Sequence, residues 1–260
     1  MRPVAIKTRG GTMSEHHHDD ELENAEPLLR RREALIAAGL IGGGVTWLSL
    51  KASEAAAVIA AKLPAIENAS CVLTPELTEG PYWIDTNLRR RNIIAGRPGL
   101  PLELRLTVAN ATTCSPIKGA DVEIWHCDAG GNYSGVSGGG GGGTASPTDS
   151  TRYLRGHQIA NARGVVIFRT IYPGFYPGRT AHIHIKVHHS GKVHTGQLFF
   201  SDAVSDVVYG KSPYNAQGTR EVRNSDDNIY GDAGSSSLLK LAKRKVGSGY
   251  IGTSRLGVSI

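Results

Sequence analysis

A chain of 260 residues with 33 glycines has room for one domain of about 200 residues with its own core, once a non-structural N-terminus is set aside. Few aromatics, abundant glycine and β-branched residues in short runs favour a β-rich domain with many turns over a helical bundle. The net charge of +6 lies in short clusters, Arg30 to Arg32, Arg89 to Arg91 and Lys240 to Lys245. No continuous basic stripe or recognition motif accompanies them, which argues against a nucleic-acid partner and for a solvated basic surface.

Residues 1–29 are polar and carry His16-His17-His18-Asp19-Asp20-Glu21. Such a segment reads as a disordered tail; a weak metal-collecting tract or a cloning remnant are the alternatives. Arg30-Arg31-Arg32-Glu33-Ala34-Leu35 then leads into an apolar run from Ile36 to Leu50 and an Ala-rich patch at 55–61. A basic start, an apolar middle and small residues near a cleavage point describe an export signal. The paired arginines resemble a twin-arginine signal. Gly42, Gly43 and Gly44 interrupt the apolar run, so no stable membrane span is expected in the mature form; a buried helix is the structural alternative. The expected organisation is a tail and export signal over 1–62 and one β-sandwich domain over 63–260.

Within that domain, Gly80-Pro81 marks a tight bend from which Tyr82 and Trp83 emerge. Leu102, Leu104, Leu106 and Val108 alternate with polar partners, the pattern of a half-buried strand. Ala120 to Cys127 is another strand, with Val122 and Ile124 on one face and Asp121, Glu123 and Trp125 on the other. It runs into a glycine-rich turn, Asp128 to Gly135, that carries Tyr133. Gly138 to Gly143 is an unbroken glycine run and predicts a flexible loop. Further strands are expected at Gly164 to Ile171 and Val193 to Phe200, a short basic helix over Leu238 to Val246, and a last extended piece over Tyr250 to Val258. The sum is an all-β sandwich or barrel of mostly antiparallel strands. Export makes a disulfide plausible, and Cys71–Cys114 is the favoured pair, since Cys127 ends a strand beside the candidate site.

The most informative stretch is PGFYPGRTAHIHIKVHH, Pro173 to His189. On a strand, residues i and i+2 share a face, so His182 and His184 project together, about 6–7 Å apart at the backbone. Ile183, Ile185 and Val187 point the other way, toward a core. A His-x-His pair alone is a weak signal, because His157, His188, His189 and His194 show that the chain has spare histidines. Tyr176, just before the strand, and Tyr133, in the earlier glycine turn, change its weight. Zinc is held by Cys, His and carboxylate. Two phenolates are hard anionic donors that suit a ferric ion, and Tyr is a known iron ligand.

The strings TEGPYW, GADVEIWHCDAGGNYSG, RGHQIANARGVVIFRTIYPGFYPGRTAHIHIKV and GQLFF, in this order, resemble the intradiol ring-cleavage dioxygenases, most of all an exported branch related to protocatechuate and catechol dioxygenases. The resemblance implies a β-sandwich and a non-haem Fe(III) bound by Tyr133, Tyr176, His182 and His184. Tyr176 would be the ligand displaced by substrate, Arg179 the active-site arginine, and Gln197 a residue that orients substrate. Gly80, Pro81 and Tyr82 would line the substrate pocket. The implied partners are a catecholic small molecule and O2, and the implied product a muconate-type diacid. Two departures stand out. Pro177-Gly178 replaces the bulk that often follows the displaced tyrosine, which opens the pocket on that side. The long N-terminal helical dimerisation region of many catechol-type members is not expected, and the oligomeric state stays open. The alternatives from other classes are a secreted β-sandwich that binds metal or aromatics without turnover, and a zinc hydrolase built on the spare histidines.

Overall fold

A computed structural model describes residues 72–136 and 150–260. The expected tail, export signal, domain boundary, Cys71 and glycine run lie outside these residues. Two four-stranded sheets make up the fold. The first has β1 (Pro101–Asn110) between β4 (Val165–Ile171) and β8 (Tyr250–Val258), with β7 (Lys240–Lys243) at the edge. The second runs β3 (Arg155–Ile159), β2 (Asp121–Trp125), β5 (His182–His189), β6 (Lys192–Phe199). Only β1 and β8 pair in parallel; the other neighbours are antiparallel.

The period-2 alternation explains the core. Leu102, Leu104, Leu106 and Val108 of β1 are buried in the same cluster as Val122 and Ile124 of β2, and Ile183, Ile185 and Val187 of β5. Each such side chain contributes roughly 1.5–3 kcal/mol when taken out of water, so this shared layer is the main stabilising term. β5 and β6 are joined by a turn of two residues, Ser190 (φ 51°) and Gly191 (φ 77°). Both lie in the left-handed region, the signature of a type I′ hairpin turn.

Strands β1, β2, β4, β5, β6 and β8 fall where the sequence pattern puts them. The basic helix expected over Leu238 to Val246 does not form. Lys240–Lys243 is instead an edge strand antiparallel to β8, with Leu241 opposite Gly252. A Cβ at Gly252 would lie 3.2 Å from Leu241 Cδ2, so the glycine makes room for that leucine. Exposed lysines on an edge strand also discourage pairing with another chain. Elements without a clear sequence signal include β3 and an α-helix, α1 (Asp202–Tyr209), capped by the Ser201 side chain on Val204 N–H. A shorter helix, α2 (Asn228–Ala233), is capped by Asp227.

Cys114 is disulfide-bonded. Cys127 is free and buried, and burial pushes its thiol well above the usual range, so it stays an unreactive thiol at neutral pH. Among the described residues no helix is long and apolar enough to cross a membrane.

Candidate metal centre

β5 lies between β2 and β6, so its backbone is paired on both sides. Its odd-numbered side chains fill the sandwich. Its even-numbered ones, His182, His184 and Lys186, are buried on the opposite face. The register places Trp125, His184 and Gln197 in one row across β2, β5 and β6. The Trp125 indole stacks on the His184 ring, with centroids 4.9 Å apart and planes at 6°. Trp125 is fully buried, and the surface it packs against is the His184 ring.

Tyr133 and Tyr176 come to this face from the turns after β2 and before β5. Four polar atoms meet there. Tyr176 Oη is 3.1 Å from His182 Nε2, which is 3.2 Å from His184 Nε2. His184 Nε2 is 3.1 Å from Tyr133 Oη, and Tyr133 Oη is 3.4 Å from His182 Nε2. Ligand bonds of about 2.0–2.2 Å to one ion set neighbouring ligand atoms roughly 3 Å apart at right angles, so the observed spacing suits one shared cation. His182 Nδ1 donates to Thr180 O at 2.7 Å, which leaves its Nε2 lone pair facing the cluster. Burial, then the Arg179 charge, lowers the His182 pKa to about 3. Burial and His182 push His184 well below its ordinary value. Both rings are therefore neutral at pH 7, the form that binds metal. Burial raises both phenols above their ordinary value, so a cation must displace their protons to bind.

The surrounding residues fix these groups. The Tyr82 ring stacks on Tyr133 at 4.4 Å. Gly80 has φ +74°, and a Cβ there would sit 3.1 Å from His184 Cε1; only glycine fits this close pass over the imidazole. Pro81 is exposed beside them. Arg179 Nη2 donates to Gln197 Oε1 at 2.6 Å, its Nε donates to Asp227 at 2.8 Å, and its Nη1 lies 3.4 Å from His182 Nε2. Gln197 in turn donates to Thr78 O at 3.0 Å. Asp227 also accepts from Thr180 N–H at 2.9 Å and caps α2. Burial works to raise the Asp227 pKa, but the Arg179 charge and the Thr180 N–H outweigh it and hold the carboxyl below the usual range. The sequence singled out every member of this group except Thr78, Thr180 and Asp227. An Asp just before a short helix is an N-cap signal, but nothing local ties it to Arg179, 48 residues earlier.

Of the spare histidines, His157 and His188 line one cavity together with Asp121 and Glu123. His157 pairs with Asp121, and His194 lies 3.5 Å from Glu76. Among the described residues, no group of three or more His, Cys, Asp or Glu side chains is placed to hold a metal ion. His126, next to the site in sequence, is structural: its Nδ1 donates to Cys127 O at 2.8 Å and its Nε2 accepts from Thr170 Oγ1 at 2.7 Å. Burial lowers its pKa from 6.5 to about 4. The unfolded chain takes up this proton below pH 6.5 and the folded chain only near pH 4, so stability falls as pH drops through that window. Wild-type protein should lose about 2 kcal/mol more than His126→Gln between pH 7 and pH 5. Urea midpoints at the two pH values check this; equal losses would refute it.

A two-sheet sandwich with two tyrosines and two histidines converging on one sheet face defines a narrow class of protein. The Dioxygenase family model matches residues 78–210. An intradiol ring-cleavage dioxygenase from Tetranychus urticae is 39% identical, with a TM-score of 0.67, over 72% of this chain and 94% of that one. The dioxygenase domain of a dioxygenase–carbohydrate-binding fusion from Streptomyces sp. SirexAA-E is 29% identical, with a TM-score of 0.54, over 72% and 99%. Catechol 1,2-dioxygenase from Acinetobacter sp. ADP1 shares the fold, at 22% identity and a TM-score of 0.52 over 79% and 65%. No curated protein matches the chain significantly. This chain belongs to the intradiol ring-cleavage dioxygenase family.

Proposed function

We propose that this protein opens catecholic rings between the two hydroxyls, using O2 and a ferric ion held by Tyr133, Tyr176, His182 and His184, and yields muconate-type diacids. The observation that carries this reading is the four-atom cluster, with spacings of 3.1–3.4 Å, in a chain of this family. A ferric ion bound there would supply Lewis acidity and an electron acceptor for a chelated diol. Two phenolates beside two neutral imidazoles neutralise much of its charge.

The chain's own groups have distinct tasks. With a ferric ion held by these four residues, a chelating catechol would lose two protons; Tyr176 Oη would accept one and a hydroxide from solvent the other. Arg179 faces the centre with its guanidinium fixed from two sides by Gln197 and Asp227. It stabilises negative charge that develops on the ring and on oxygen in a partly dry pocket. Gln197 orients substrate through that guanidinium, and Gly80, Pro81 and Tyr82 wall the ring. A metal- or aromatic-binding module without turnover has no need of a cation 3.4 Å from a ligand atom. Export through the twin-arginine signal, with the domain over 63–260, is part of the same proposal; a reporter fused to residues 1–65 that stays wholly cytoplasmic would refute it.

Iron-loaded protein should be red-brown and consume O2 with catechol without added reductant. Tyr176→Phe should weaken the visible band and slow turnover. Iron-loaded protein with no visible band would overturn the ligand assignment.

A further inference from the structure

A cavity of about 210 Å³ opens beside the centre, lined by Tyr176, Pro177, Arg179, Gln217, Glu221 and Val222 among others. It shares Tyr176 and Arg179 with the metal centre, so a ring seated there points a substituent into it. Pro177, at the link where family members often carry bulk, is part of its lining.

The charges around this cavity do not balance. Arg179 is its one lining cation, and that charge is already paired with the buried Asp227. Glu221 is an exposed carboxylate that also lines the cavity. Its neighbours Arg220 and Arg223 turn away: Arg220 pairs with Asp202 and Asp206, and Arg223 with Asp206. Counting Arg179, Asp227 and Glu221 leaves a net charge of −1.

We propose that this cavity is the ring-substituent subsite and that Glu221 sets its selectivity, favouring catechols with a cationic or hydroxyl substituent over those with a carboxylate. The assignment rests on the ring-cleavage reading and narrows its substrate class. A carboxylate entering here would meet Glu221 and find Arg179 already paired. An ammonium group would meet the Glu221 carboxylate.

The test compares three catechols of matched size, the benzylamine, benzyl alcohol and benzoate derivatives. Two quantities are measured: kcat/KM by oxygen uptake, and Kd by calorimetry under nitrogen, where no turnover occurs. The expected ranking in both is amine, then alcohol, then carboxylate. Glu221→Gln should compress the amine-to-carboxylate ratio about tenfold, and Glu221→Lys should invert the order, from Coulomb terms at roughly 5 Å in a solvent-open cavity. Turnover without a charge ranking, or a ranking that Glu221→Lys leaves in place, overturns the subsite and leaves ring cleavage standing. Absence of both turnover and binding for all three removes the ring-cleavage reading, and this one with it.

Discussion

Protein carrying His182→Ala is expected to fold, to come out colourless and to have lost ring cleavage. His182 Nε2 is the hub of the cluster, within 3.1–3.4 Å of the other three polar atoms. Its ring is aimed by Nδ1 donating to Thr180 O. Loss of a supporting residue around a metal costs roughly 10–100-fold in affinity, and loss of a ligand should exceed that. The control is His194→Gln, an equally buried histidine on the neighbouring strand, which should keep its iron and colour. Metal analysis of the purified protein, the visible spectrum and circular dichroism together decide the matter. A folded His182→Ala protein that still binds iron with an unchanged band would remove His182 from the ligand set.

The second large effect is expected at Asp227, a residue that does not touch the cluster. Its carboxylate holds Arg179 Nε and Thr180 N–H at once, and so positions both the guanidinium and the segment that aims His182. Removing one partner of a buried ion pair leaves the other charge uncompensated and costs roughly 3–5 kcal/mol, so Asp227→Ala should be markedly less stable. Asp227→Asn keeps one acceptor for the α2 cap and loses both the charge and the second acceptor, which Arg179 Nε and Thr180 N–H share. In this variant kcat per folded molecule should fall about 10–100-fold with KM little moved, because Arg179 acts on charge that develops during reaction. The tyrosinate band should stay in place. If kcat per folded, iron-loaded molecule is unchanged, Asp227 serves stability alone.

Much of this architecture can be read from the chain, for physical reasons that also mark what cannot. Leu102 to Val108 and His182 to Val187 announce strands because one face must be buried and the other is polar. Arg155 to Ile159 announces nothing, since its most buried side chain is an arginine whose Nε and Nη2 bond to Ser134 O. Lys240 to Lys243 misleads because an edge strand can carry helix-forming residues when its partner supplies the packing. Tyr133 and Tyr176 gained meaning from the histidines near them and from the family motifs. Asp227 and Thr180 act through contacts between distant segments, which no local spacing encodes.

The Ser190-Gly191 turn has a reach that its position on the surface hides. A two-residue type I′ turn admits one alignment of the strands it joins. That alignment puts Gln197 opposite His184, about 20 Å from the turn along the strand. One inserted residue would slide Gln197 past its station and turn alternate side chains of β6 to the wrong face. Arg179 would lose its amide partner although no residue of the four-atom cluster had changed. The hairpin tip is thus a gauge block for the row of Trp125, His184 and Gln197: insertions there should cost both stability, through the displaced Leu198, and the proposed activity, whereas substitutions that keep both left-handed conformations, such as Ser190→Asn, should pass unnoticed.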